Sequence, residues 1–187
     1  LSLHDALPIF KDNSDAQLAR MALVEGDCTG VMLEYMLRDK GLDLSGMPVG
    51  VVELARKALV DSGSATFRAE PAILRETLLF PYVYGLGFMR VLRTRRPWHV
   101  VNRMYRRPPR STEQMIHYRK YWARERPVRV SAADPDVLSG YSAVKRDVLG
   151  EFQLSVYLGL GVSGAVASRA AAGWGGDRLV AYGRKGE

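Results

Sequence analysis

Residues 14–39 read SDAQLARMALVEGDCTGVMLEYMLRD. Ser14 with Gln17 has the spacing of a capping box, which predicts a long helix over about 15–39. On a wheel of roughly 100° per residue, Leu18, Met21, Cys28, Met32 and Met36 share one apolar face. Glu25 falls in the middle of that face, and Asp27 points nearly the other way. An ionised carboxylate on an apolar stripe is costly unless it meets a cation, a metal or good hydrogen-bond donors. Two readings of Glu25 therefore stand side by side. It is an ion-paired or solvent-reaching structural residue, or it is a metal ligand of the kind a helical Glu supplies to Zn2+. Gly26 weakens a helix, so its presence predicts the close approach of another backbone.

Working outward, Gly41 and Pro48 mark a turn, and an amphipathic helix is expected over 50–61, stopping at Gly63. Pro71 suits the first turn of a helix over 71–80. Pro81 is expected to break it, with a further helix over 82–94. Pro97 opens a short helix to Tyr105, and Ser111 with Gln114 repeats the capping-box spacing. A short strand is expected at Val128–Val130, a polar loop over 131–140 and a helix over about 143–172. Trp174 to Asp177 reads as a turn, and Leu179–Tyr182 as a strand cut off by the chain end. The expected class is mainly α, with few short strands. One domain is expected over 10–187, incomplete at its start, with truncation at its end left open.

The 187 residues are 47% hydrophobic and 25% charged, which excludes intrinsically disordered and collagen-like chains. One cysteine, Cys28, excludes an intramolecular disulfide framework and a Cys-only zinc site. The longest apolar stretch, roughly 78–92, contains Pro81 and Arg90 and is too short for a transmembrane segment. The net charge of +7 is local: residues 90–126 hold 12 basic and 2 acidic side chains. Residues 1–9, LSLHDALPI, match the translation of a short-read sequencing adapter and are set aside from functional reasoning. The true N-terminal part, with any targeting signal, is expected to be missing.

Four segments in order, LARMALVEGDCTGVM (18–32), FPYVYGLGF (80–88), VNRMYRRPPRSTEQMIHYRKY (101–121) and AAAGWGGDR (170–178), resemble a predicted bacterial zinc metallopeptidase family. Proteins of this gluzincin-like kind carry HExxH on one helix and a later Glu in an EGD-type motif on a second. The resemblance implies a metallopeptidase-like helical domain acting on a peptide or protein substrate through zinc-activated water. It maps Glu25 onto the third zinc ligand, with Cys28 where the pattern has Ala. HExxH is absent and is expected ahead of residue 15, where the adapter-like string stands. The chain as written is therefore expected to lack two zinc ligands and the general base, and to be inactive.

A peptidase also needs a donor for the tetrahedral oxyanion. His117, after the STEQ segment, is one candidate, and Tyr82 is another, with Tyr84 as a rival. The bland reading makes His117 a structural hydrogen-bonding residue by the Pro-Pro turn and makes the tyrosines core aromatics. His99 reads as structural. The glycines at 159–161 and 173–176 do not pass from strand to helix, so a dinucleotide fingerprint fails. The arginines of 90–126, interleaved with Trp98, Tyr105 and Tyr121, support an alternative: a non-catalytic basic module for nucleic acid or an anionic membrane surface. No recognised nucleic-acid motif accompanies them, so no specific nucleic acid is expected.

Overall fold

The computed structural model describes residues 12–48, 50–132 and 140–184. Helices account for 62% of it against one two-stranded antiparallel sheet, so the fold is mainly α. The helices are α1 (Ser14–Leu37), α2 (Gly50–Ser62), α3 (Ala65–Ala69), α4 (Ala72–Arg93), α5 (Trp98–Met104), α6 (Thr112–Ile116), α7 (Tyr118–Ala123), α8 (Gly150–Leu158) and α9 (Gly164–Ala171). The strands are β1 (Tyr141–Asp147) and β2 (Leu179–Arg184). No helix among the described residues is long and apolar enough to cross a membrane.

The centre is the crossing of α1 and α4. A Cβ at Gly26 would run into the backbone of Gly85, and a Cβ at Gly85 would meet the carbonyl of Ala22. The two backbones therefore touch without side chains between them, as the lone Gly26 predicts. Around that point Ala19, Ala22, Leu23, Phe80, Leu86 and Met89 are almost completely buried. Leu44, Val101, Met104, Met115 and Phe152 close the same cluster from the surrounding elements. Apolar area removed from water here supplies the main stabilising force.

Several boundaries differ from the sequence reading. The cap of α1 is Asn13, whose Oδ1 accepts from the Ala16 N–H at 2.8 Å. Ser14 instead donates through its backbone N and its Oγ to Asp147. Pro81 does not break α4, and Pro71 is its cap instead of a member of its first turn. Pro81 is buried, and the packed face running from Leu79 to Leu92 offsets its missing N–H. The long helix expected over 143–172 is instead β1, α8 and α9. Gly150, at φ +75°, resets the chain between β1 and α8, and a turn at 159–163 separates α8 from α9. β1 pairs with β2 from Tyr141↔Arg184 to Asp147↔Leu179, with an irregularity between Ala143 and Lys145. Val128–Val130 is not a strand, although the Val128 N–H donates to the Gly175 carbonyl at 2.6 Å. Much of the expected polar loop, 133–139, lies outside the described residues, as do residues 1–9.

Candidate active site

Glu25 does not sit on the core face of α1. The buried face is the run of small residues Ala19, Ala22, Gly26 and Gly30 with Leu23. Of the residues that share the stripe with Glu25, Leu18 is buried and Met21 half-buried, whereas Cys28, Met32 and Met36 are exposed. The stripe is thus mostly an outer face, and Glu25 is half-buried within it. The small side chains on the opposite flank draw α4 close, which is why the more apolar-looking stripe is left outside. Among the described residues Glu25 makes no hydrogen bond and no ion pair.

Its neighbours are Tyr82 and Cys28. The Tyr82 hydroxyl is pushed above its ordinary pKa, first by burial and then by the negative Glu25 carboxylate. The Cys28 thiol is pushed up by burial, then by Asp27 and Glu25. Both groups therefore keep their protons at neutral pH, and Tyr82 is available as a donor beside the carboxylate. Asp27 belongs to the other flank of α1, where it accepts from the Tyr105 hydroxyl at 2.6 Å.

His117 stands elsewhere. Its Nε2 and the Glu151 Oε1 share a hydrogen bond of 2.8 Å. Glu151 is 3% exposed, and its Oε2 is buried with no hydrogen-bond partner among the described residues. Burial pushes the Glu151 carboxyl up, against the pull of His117. Tyr84 lies on this side, near Glu151 and stacked on Phe80 at 4.6 Å. Tyr82 and Tyr84 are two residues apart, roughly 200° round the helix. The two tyrosines therefore flank the α1–α4 crossing on different sides, and Tyr82, not His117, accompanies Glu25. His99 is exposed on α5.

A third group was not legible in the sequence. Asp15, 1% exposed, accepts from the Thr112 N–H at 2.8 Å and from its hydroxyl at 2.5 Å. Thr112 Oγ1 in turn accepts from the Phe152 N–H at 3.2 Å. Burial dominates the Asp15 carboxyl and pushes it up to about 7, although the two Thr112 bonds oppose the shift. Asp177 and Glu113 add negative charge nearby. Asp177 itself accepts from the Leu149 and Gly150 N–H groups and from the Trp174 indole at 2.8, 2.9 and 2.7 Å. The capping-box Ser111 does cap α6, accepting from the Gln114 N–H, but Gln114 Oε1 reaches Arg110 N. Glu113 is held by Lys120 at 2.5 Å. Together these bonds tie the start of α1, the STEQ segment, the start of α8 and the GGD turn into one buried polar knot.

As a metal centre the arrangement is partial. Among the described residues no group of three or more His, Cys, Asp or Glu side chains stands together as a metal ion would require. Glu25 could serve as one ligand: its half-buried carboxylate meets no hydrogen-bond donor and no cation among the described residues. Compared with protein-family models, curated proteins and solved structures, the chain matches none.

Proposed function

We propose that this chain is part of a zinc-dependent peptidase in which Glu25 supplies one zinc ligand. The observation that carries the reading is the Glu25 carboxylate, half-buried on a largely apolar outer face with no partner among the described residues. Structural carboxylates in such surroundings are normally paired, as Asp15, Asp147 and Glu113 are here. The quoted segments also support it by their packing. Gly26 of the EGD stretch meets Gly85 of the FPYVYGLGF stretch. Asp177 of the GGD turn binds the Gly150 N–H, while Thr112 of the STEQ segment binds the Phe152 N–H.

Zinc held there would supply a Lewis acid able to bring a bound water's pKa near 7. This chain's own residues would orient and donate. Glu25 would offer carboxylate oxygens, and the protonated Tyr82 hydroxyl beside it would donate to an oxygen gaining charge on a peptide carbonyl. His117 is a less suitable donor, because its Nε2 is held by Glu151. The remaining ligands and the general base would come from an HExxH helix outside the described residues, so proteolysis by the chain as it stands is not expected.

The test is to recover the locus from independent reads and express the full frame. HExxH within a few tens of codons ahead of Ser14 is expected, with one zinc per chain by metal analysis and loss of that zinc in Glu25→Ala. An upstream frame without the motif, or zinc content indifferent to Glu25→Ala, overturns the reading.

A further inference from the structure

The local excess of positive charge has a shape. A cavity of about 830 Å³ opens between the end of α5, the 105–111 connection, the end of α7 and Arg20 of α1. Eight arginines line it, and no Asp or Glu does among the described residues. Arg103, Arg106, Arg107, Arg110, Arg124 and Arg126 are exposed, and none forms an ion pair among the described residues. Elsewhere the structure does neutralise such groups: Arg56 meets Glu76 at 2.8 Å, and Lys120 meets both Glu113 and Glu125. Like charges gathered in a concavity repel, and the low-dielectric walls focus their field. Burial lowers the Arg20 guanidinium pKa, and the neighbouring Arg110 lowers it further.

The wall is built, not merely charged. Tyr121 anchors the 105–111 connection by donating to the Arg107 carbonyl at 2.9 Å. Trp122 packs edge-on against Tyr121 at 5.2 Å, and Arg96 lies over the Trp122 ring at 5.6 Å. Arg20 is five residues before Glu25, roughly 140° round α1. The cavity is therefore on another flank of the helix and does not depend on the zinc reading.

We propose that this cleft binds a compact ligand carrying two or more phosphate groups. Planar guanidinium forks match phosphate oxygens in pairs of parallel hydrogen bonds. The volume is that of a small-molecule site. A single phosphate would leave most of the six exposed arginines uncompensated. The arginines converge on one concavity instead of trailing along a groove, which favours a compact polyanion over an extended nucleic-acid strand.

The test uses the full chain in EDTA, so that bound metal cannot hold the anion, at about 0.15 M salt to suppress weak surface attraction. Inorganic tripolyphosphate is titrated calorimetrically against wild type. The first variant is Arg106→Ala/Arg107→Ala/Arg110→Ala. The second carries the corresponding Lys substitutions, which keep charge and lose the fork. The control, Arg38→Ala/Lys40→Ala/Lys57→Ala, removes the same charge elsewhere. One tripolyphosphate per chain is expected, with affinity falling roughly 100-fold in the Ala variant and about 10-fold in the Lys variant. The control is expected to bind like wild type. No binding, equal losses in control and cleft variants, or a single-stranded oligonucleotide that binds more tightly and is not displaced by tripolyphosphate overturns the proposal.

Discussion

Asp15 and Glu25 stand on one helix, and the structure treats them in opposite ways. Asp15 is sealed in, with both Thr112 donors on one oxygen and Gly150 pressed so close that a Cβ there would collide with it. Glu25 faces outward with no partner among the described residues. The carboxylate that looks ordinary in sequence is the structural one, and the carboxylate that looks misplaced is the one left without a partner among the described residues. What separates them is the α1–α4 crossing, which draws the small-residue flank of α1 inward and leaves the Glu25 stripe outside.

The largest effect is expected at that crossing. Gly26→Ala or Gly85→Ala puts a methyl group into the opposite backbone, which cannot rotate away as a side chain can. The helices must separate, loosening Ala22, Leu86 and Met89 together. A loss of about 3 kcal/mol or more is expected from the urea midpoint of either variant. A midpoint equal to wild type would show that the contrast between the two flanks does not depend on backbone contact.

Next comes the closed end. Asp15→Ala strands the buried Thr112 N–H and hydroxyl, at a cost of about 2–3 kcal/mol. Asp15→Asn keeps an acceptor for Thr112 and removes the titration. The sign follows from the raised pKa of about 7. The folded protein holds this proton where the unfolded chain, near the ordinary value of 3.8, has lost it. Asp15 therefore contributes its stability below about pH 4 and loses it as pH rises through about 7. Asp147 acts oppositely. Burial raises its carboxyl, but the Ser14 and Val148 donors together bring it below the ordinary range. Its contribution is present above the unfolded pKa and lost as pH falls through its lowered folded pKa. The stability of wild type relative to Asp15→Asn should fall between about pH 4 and 7, and a flat difference would place the carboxylate in a wetter setting.

Legibility follows the range of each interaction. The long α1, the turn at left-handed Gly41 shortly beyond its end and the stop at Gly63 depend on neighbours in sequence and are readable there. Gly26 is readable as a close approach, though not its partner. β1 is opaque because TyrSerAlaValLysArgAsp lacks an apolar alternation, and the strand is exposed along most of its length. Its identity depends on pairing with β2 far along the chain. Asp15 is opaque for the same reason: an acidic residue in a first helical turn is unremarkable, and its donor lies 97 residues away. Glu25 is conspicuous on a helical wheel, but the wheel alone does not say which stripe faces the core. That depends on α4 bringing Gly85 to Gly26.

The smallest effect is expected at Glu25, and its smallness is what gives it force. A side chain that, among the described residues, satisfies no donor and pairs with no cation can be removed with little loss, so Glu25→Ala should change the urea midpoint by less than about 0.5 kcal/mol. Removing the negative charge should also lower the Tyr82 pKa towards its ordinary value, leaving only burial to raise it. Ultraviolet titration of tyrosinate, with Tyr82→Phe to assign the signal, reads that shift without any metal. A large destabilisation in Glu25→Ala would mean that the carboxylate is held by the fold after all. It would then be a second Asp15, and the contrast along α1 would disappear.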